Sequence, residues 1–385
     1  MVVPTSPRLP RSAAALAVAL VLVSATAVAA HSAQSGANAA VKRIFVIMLE
    51  NHSQSTVIGD PNAPYITGLA NTYAEATNYY GVTHPSQPNY VAAITGRLDI
   101  TRMNDVATNH YDWPNLVDQI EGAGKSWGAY MDTLPYAGYT GAIYPDAAAF
   151  PPSGAALYTN KHDPFVLMDD VLSSPARLAR IKPYTNLAAD LNGAHAPDFV
   201  WISPNQCNDM HGGVYSAVPG HPETPCPYGN AVDDPNDAAL KHKADAFVRQ
   251  AVETITTSKA WTGNSVIFIL TDEADFGGSA FAGQDLWADV SGCCDSPGYG
   301  SAPPLPYGYE FMDNGPGHFW YTGQFGGGLI PSIVIARNGA RGLKDDTPYN
   351  HYSLLRTIEQ VWGLGYLGYA GDSSNVTSMT NLLQH

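Results

Sequence analysis

Arg43-Ile44-Phe45-Val46-Ile47-Met48-Leu49-Glu50-Asn51 decides the fold. The run is apolar without polar alternation, so it reads as a strand buried on both faces, which is the kind of strand that a parallel sheet between two helix layers requires. It breaks off abruptly at an acid and an amide. Similar short runs occupy residues 126–130, 198–202, 265–270 and 331–335. Helical patterns lie between them, near residues 64–73, 88–95, 113–123, 236–257 and 351–362. The alternation predicts an α/β fold with a mostly parallel central sheet and helices on both faces.

Residues 1–29 stand apart from this pattern. Arg8 and Arg11 precede an apolar run from Ala13 to Val23, and Ala25-Thr26-Ala27-Val28-Ala29 offers small-residue cleavage sites. This is the three-part form of a secretory signal, so the sequence predicts an exported, extracellular protein with a flexible linker over residues 30–40 and no stable membrane span. Residues 41–385 are expected to make one domain. Two Gly-, Pro- and aromatic-rich stretches, near 136–161 and 274–328, are too long for simple connections and read as lids or rims around a pocket. The four cysteines are expected to pair in an oxidising compartment. Cys207 with Cys226 and Cys293 with Cys294 is one pairing, and cross-pairing of the two sets is another.

With 19 Lys+Arg against 34 Asp+Glu, the formal net charge is −15. That balance opposes nucleic acid or an anionic membrane surface as a partner held by bulk charge. The oligomeric state is not legible.

The chemistry lies at the strand ends. Glu50 and Asn51 follow the first strand, Asp272 and Glu273 follow the run 265–270, and Asn205, Asp209 and His211 follow the run 198–202. Ligands of open parallel sheets bind beyond the carboxyl ends of the strands, so these clusters should share one rim. Each has a plain alternative as a turn, a cap or a solvated loop, and their joint position is what argues against it. Carboxylates with an amide oxygen form a hard donor set suited to one or more divalent metal ions, Ca, Mg or Mn, while His leaves room for Zn or Fe.

Thr83-His84-Pro85-Ser86-Gln87-Pro88-Asn89-Tyr90 places Ser86 where a turn enters a helix. Ser86 reads either as an N-cap or as a nucleophile with a phosphate at the helix N-terminus. His351 opens the last helix, ahead of an apolar face made by Leu354, Leu355, Ile358, Val361 and Trp362. It reads as a cap residue or as a proton donor facing the pocket. No G-x-S-x-G elbow is present, which opposes an ordinary α/β-hydrolase esterase.

Together, Leu49-Glu50-Asn51-His52-Ser53, the Thr83 to Tyr90 segment, Pro204-Asn205 with Asn208-Asp209-Met210-His211, Thr271-Asp272-Glu273 and the His351 helix resemble the bacterial phosphoesterase family of secreted acid phosphatases and phospholipases C. The resemblance implies an alkaline-phosphatase-like fold, with Glu50, Asn51, Asp272 and Glu273 binding the metal and Ser86 as the phosphorylated nucleophile. It implies catalytic roles for His211 and His351, either of which would protonate the leaving group, and phosphate-side roles for His84, Asn89, Asn205 and Asp209. The implied activity is metal-assisted hydrolysis of a phosphate monoester through a phosphoserine. The implied substrate is a phosphate ester, with phosphoinositides and phospholipid headgroups among the candidates. A phospholipase C-type phosphodiesterase using the same site is the alternative, and a non-catalytic anion-binding module is the more distant one.

Overall fold

The computed structural model describes residues 41–145, 156–229, 234–277, 287–289, 291–295 and 324–384. The signal and linker expected over residues 1–40 lie outside the described residues, as do parts of both long loops.

Eight strands form the central sheet: β1 (Val41–Leu49), β2 (Ala74–Ala76), β3 (Trp127–Met131), β4 (Ile181–Pro183), β5 (Phe199–Ser203), β6 (Asn264–Thr271), β7 (Ser332–Ala336) and β8 (Lys344–Asp345). Their order across the sheet is β8-β2-β7-β6-β1-β5-β3-β4. Neighbours from β6 to β4 run parallel. Strand β7 is antiparallel to both β6 and β2. The sheet is therefore α/β and mostly parallel, as the alternation predicts. The antiparallel β7 and the two- or three-residue strands β2, β4 and β8 are what the sequence did not signal.

Strand β1 shows why its sequence has no polar alternation. Ile44, Val46 and Met48 enter one apolar cluster, and Phe45, Ile47 and Leu49 enter another on the opposite face. The first cluster is completed by helices α2 (Ser86–Thr95) and α4 (His351–Trp362), through Tyr90, Val91, Ile94, Leu354, Leu355 and Ile358. The second takes α1 (Pro64–Thr72) and α3 (Pro235–Thr256), through Ile66, Leu69, Ala244, Val248, Ala251 and Ile255. Burying a side chain of this size contributes about 1.5–3 kcal/mol, so both helix layers are anchored to the same strand.

Cys207 pairs with Cys226 and Cys293 with Cys294, so the cysteines pair within each set and not across. The first disulfide closes the loop after β5, with both cysteines buried. Among the described residues no helix is long and apolar enough to cross a membrane.

Candidate active site

Leu49 and Thr271 are in register at the ends of β1 and β6, so Glu50-Asn51 and Asp272-Glu273 leave the sheet side by side. Ser86, at the start of α2, meets both pairs. Its Oγ lies 2.9 Å from Glu50 Oε2 and 3.0 Å from Glu273 Oε1. A hydroxyl has one proton, so it can donate to only one of these carboxylates at a time. Ser86 is 1% exposed, and both acids are equally buried.

Asn51 adopts a left-handed backbone, φ 48°, which asparagine tolerates better than most residues. That turn aims its N–H at Asp272 Oδ1, 3.1 Å away, and Glu273 N–H donates to the same oxygen at 2.7 Å. Asn51 Oδ1 and Asp272 Oδ2 are buried without a hydrogen-bond partner. Unpartnered buried oxygens beside three further carboxylates are a costly arrangement in an apolar protein interior and a suitable one for a divalent cation. The residues present therefore fit such an ion.

The charges agree. Burial raises the pKa of Glu50 well above the usual range, with Asp272 and Asp209 adding to it. Burial likewise raises Asp209 and Asp272 well above theirs. Glu273 is raised by burial although His84 opposes the shift. Burial alone would depress the His84 imidazole, but the Glu273 carboxylate outweighs it and the pKa rises. His84 Nδ1 pairs with Glu273 Oε2, and Nε2 donates to the Asp289 carbonyl at 2.8 Å. These contacts hold the Glu273 carboxylate from the side of His84.

The histidines depart from expectation. His351 Nε2 donates to the Asp272 carbonyl at 2.6 Å, and its Nδ1 lies 3.3 Å from the Tyr79 hydroxyl. Burial lowers its pKa to about 4. With both ring nitrogens engaged behind the Asp272 backbone, its place suits positioning of that residue. Gly81 presses on the same carbonyl, where a Cβ would come within 2.9 Å. His211 Nδ1 donates to the Gly212 carbonyl at 2.9 Å, so Nε2 accepts from the Lys161 ammonium at 3.2 Å. Burial, then the Lys161 charge, pushes His211 down to about 3, which leaves it unprotonated at mildly acidic pH.

Two amides expected beside the phosphate are engaged by other parts of the chain, Asn89 by backbone alone and Asn205 by backbone and side chains. Asn89 Oδ1 accepts from Val82 and Thr83 N–H at 2.8 and 3.1 Å, and its Nδ2 donates to the Thr83 and Pro85 carbonyls at 2.7 and 3.2 Å. It fixes the turn that presents Ser86. Asn205 Oδ1 accepts from Cys207 and Asn208 N–H, and Nδ2 donates to Thr133 and Glu223. Asp209 does reach the site: its Oδ2 is 3.3 Å from His162 Nδ1, and its carbonyl accepts the Glu50 N–H at 2.8 Å.

Three side chains here carried no sequence signal. His162 lies between Glu50 and Asp209, with Nε2 3.2 Å from Glu50 Oε1, and stacks on Tyr90 with ring centroids 5.4 Å apart. Lys161 and Asp105 pair at 2.9 Å. Glu50, His162 and His211 also bring ligand atoms within 4.8 Å of one another, a grouping that could hold a metal ion. In that trio His211 already uses both ring nitrogens, so the oxygen set around Asn51 and Asp272 fits a cation better.

The match to known proteins settles the lineage: the phosphoesterase family covers residues 60–221 and 229–365. The chain belongs to the phosphoesterase family. Among relatives of the chain, an acid phosphatase of Aspergillus fumigatus is 32% identical over 340 residues, covering 88% of this chain and 58% of the relative. A phosphatidylinositol-3-phosphatase of Mycobacterium tuberculosis is 25% identical over 336 residues, covering 87% of this chain and 82% of that protein. The chain spans 58–65% of the length of the fungal acid phosphatases it matches. Murine ectonucleotide pyrophosphatase / phosphodiesterase 5 shares the fold at TM-score 0.52 and 11% identity, over 87% of this chain and 98% of that one.

Proposed function

We propose that this phosphoesterase hydrolyses phosphate monoesters through a phosphoserine on Ser86. The observation that carries the reading is the Ser86 hydroxyl held at 2.9 and 3.0 Å between Glu50 and Glu273, buried and beside unpartnered oxygens of Asn51 and Asp272. A divalent cation held by Glu50, Asn51, Asp272 and Glu273 would neutralise charge on phosphoryl oxygens and favour the serine alkoxide.

In the first half-reaction Ser86 Oγ bonds to phosphorus while the bond to the departing alkoxide breaks. The Ser86 proton passes to a carboxylate already within hydrogen-bond reach, Glu50 or Glu273, and from there to the alkoxide, which leaves as an alcohol. In the second, water cleaves the phosphoserine and restores the hydroxyl. His84 holds Glu273 in place, and His351 holds Asp272 through its carbonyl.

The names of the relatives support a phosphate ester as substrate, with a phosphoinositide headgroup among the candidates. A leader over residues 1–29, as the sequence predicts, would put this work outside the cell. Hydrolysis of p-nitrophenyl phosphate by the intact protein, lost in Ser86→Ala, is the test. Full activity in that variant would refute the reading.

A further inference from the structure

We infer that Lys161 makes the site prefer phosphate monoesters to diesters by engaging the extra charge and the extra terminal oxygen of the monoester. This rests on the phosphomonoesterase reading of Ser86 and deepens it.

An ammonium carries three N–H donors. Lys161 gives one to Asp105 Oδ2 at 2.9 Å and one to His211 Nε2 at 3.2 Å. The third has no acceptor among the described residues, although the side chain is only 16% exposed. A donor so nearly buried calls for an acceptor, and a buried charge calls for one more strongly.

The surroundings say what that acceptor is. Lys161 is close enough to act on the charges of Glu50, Asp209, Asp272 and Glu273. Asp105, which holds Lys161, also accepts the Gln87 N–H at 2.9 Å through Oδ1. Gln87 follows Ser86, so one carboxylate ties the ammonium to the first turn of the nucleophile's own helix. The groups around it are mostly acidic, and an ionised carboxylate would repel a phosphate. His84, whose pKa Glu273 raises against its burial, has both ring nitrogens engaged by Glu273 and Asp289. Lys161 is therefore the protein's own group with a donor left for the ester.

A monoester has three terminal oxygens and up to two negative charges, whereas a diester has two and one. Attraction to a fixed cation scales with the ligand's charge, and it is strengthened where water is excluded. The monoester gains more from Lys161 on both counts.

The experiment compares kcat/KM for p-nitrophenyl phosphate and bis-p-nitrophenyl phosphate in wild type, Lys161→Met and Lys161→Arg. A hydrogen bond to a charged group corresponds to about 10–100-fold, so Lys161→Met should lower the monoester value by that factor and the diester value by less than about 3-fold. Lys161→Arg, which keeps the charge, should retain most of the preference. Equal losses on both esters, or no loss on either, would overturn the assignment. Binding of inorganic phosphate to Ser86→Ala protein, measured by calorimetry, supplies a readout without turnover: adding Lys161→Met should weaken it about tenfold. Unchanged phosphate affinity would overturn the role of Lys161 even if the phosphomonoesterase reading stands. Wild type inert on both esters would instead count against that reading, while the phosphate titration still decides the fate of Lys161. Should Lys161→Met fail to fold, the Lys161→Gln variant carries the same expectations.

Discussion

Ser86 Oγ stands 2.9 Å from Glu50 Oε2, across 36 residues of chain, because the end of β1 and the start of α2 meet at one rim of the sheet. Glu273 closes on the same oxygen from the end of β6. The nucleophile is thus set by backbone elements on three sides, and the consequences can be measured.

Chelation should silence the protein. Because Asn51 Oδ1 and Asp272 Oδ2 are buried and unpartnered, a cation is expected to satisfy them. Treatment with EDTA followed by metal analysis should remove activity and bound metal together, with readdition of a divalent ion restoring both. Asp272→Asn should lower metal content at unchanged fold. Full activity in metal-stripped protein would refute the donor set.

His351 should behave as a positioning residue. Its two nitrogens are committed to Tyr79 and the Asp272 carbonyl, and its pKa is held near 4 by burial. His351→Ala should lower kcat by about 10-fold or more without moving the limbs of the pH-rate profile, and His351→Gln, which can still donate to the carbonyl, should recover much of the loss. Disappearance of one limb in His351→Ala would return the residue to proton transfer.

Asn89 should matter to folding before chemistry. Its four backbone hydrogen bonds close the Val82–Pro85 turn, and leaving those groups unpaired should cost about 2–4 kcal/mol. Urea unfolding of Asn89→Ala measures this. A variant of wild-type stability but with a raised KM would favour a direct contact with substrate.

Stability should fall as pH rises towards neutrality, in part through Glu359. This residue of α4 is fully buried, accepts the Leu367 N–H at 2.8 Å and has its pKa pushed up by burial to about 7. Between the ordinary carboxylate pKa, near 4.5, and 7 the unfolded chain loses the proton that the folded chain keeps, so stability is present below that window and declines through it, by about 3 kcal/mol in all. Glu359→Gln, which does not titrate, should show a correspondingly flatter dependence in denaturant melts at pH 4.5 and pH 8. An identical slope in the variant would exclude Glu359 as the cause.

The parts of this site that the sequence revealed share a physical reason. Glu50, Asn51, Asp272 and Glu273 sit directly after strongly apolar strands, and parallel neighbours deliver their ends to one edge. Ser86 was legible where a turn enters a helix, which in the structure begins at Ser86 itself. His162 and Lys161 come from a single 3-10 turn and Asp105 from a loop, segments too short for a periodicity to mark which side chain turns inward, so only the folded chain shows them. Asn89 and Asn205 were read as substrate contacts, and the sequence pattern does not show that their amides engage neighbouring backbone and side-chain groups. The short strands β2, β4 and β8 escape notice because two or three residues do not make a pattern, and β7 reads as apolar in either direction.

The central claim is tested most directly by trapping the intermediate. The protein is mixed with a phosphate monoester, quenched in acid within a turnover and digested, and the phosphopeptides are sequenced by mass spectrometry. Phosphate on Ser86, absent from the Ser86→Ala variant, is the predicted result. Turnover with phosphate on another residue, or with label transferred directly from ester to water while Ser86 stays unmodified, would contradict it.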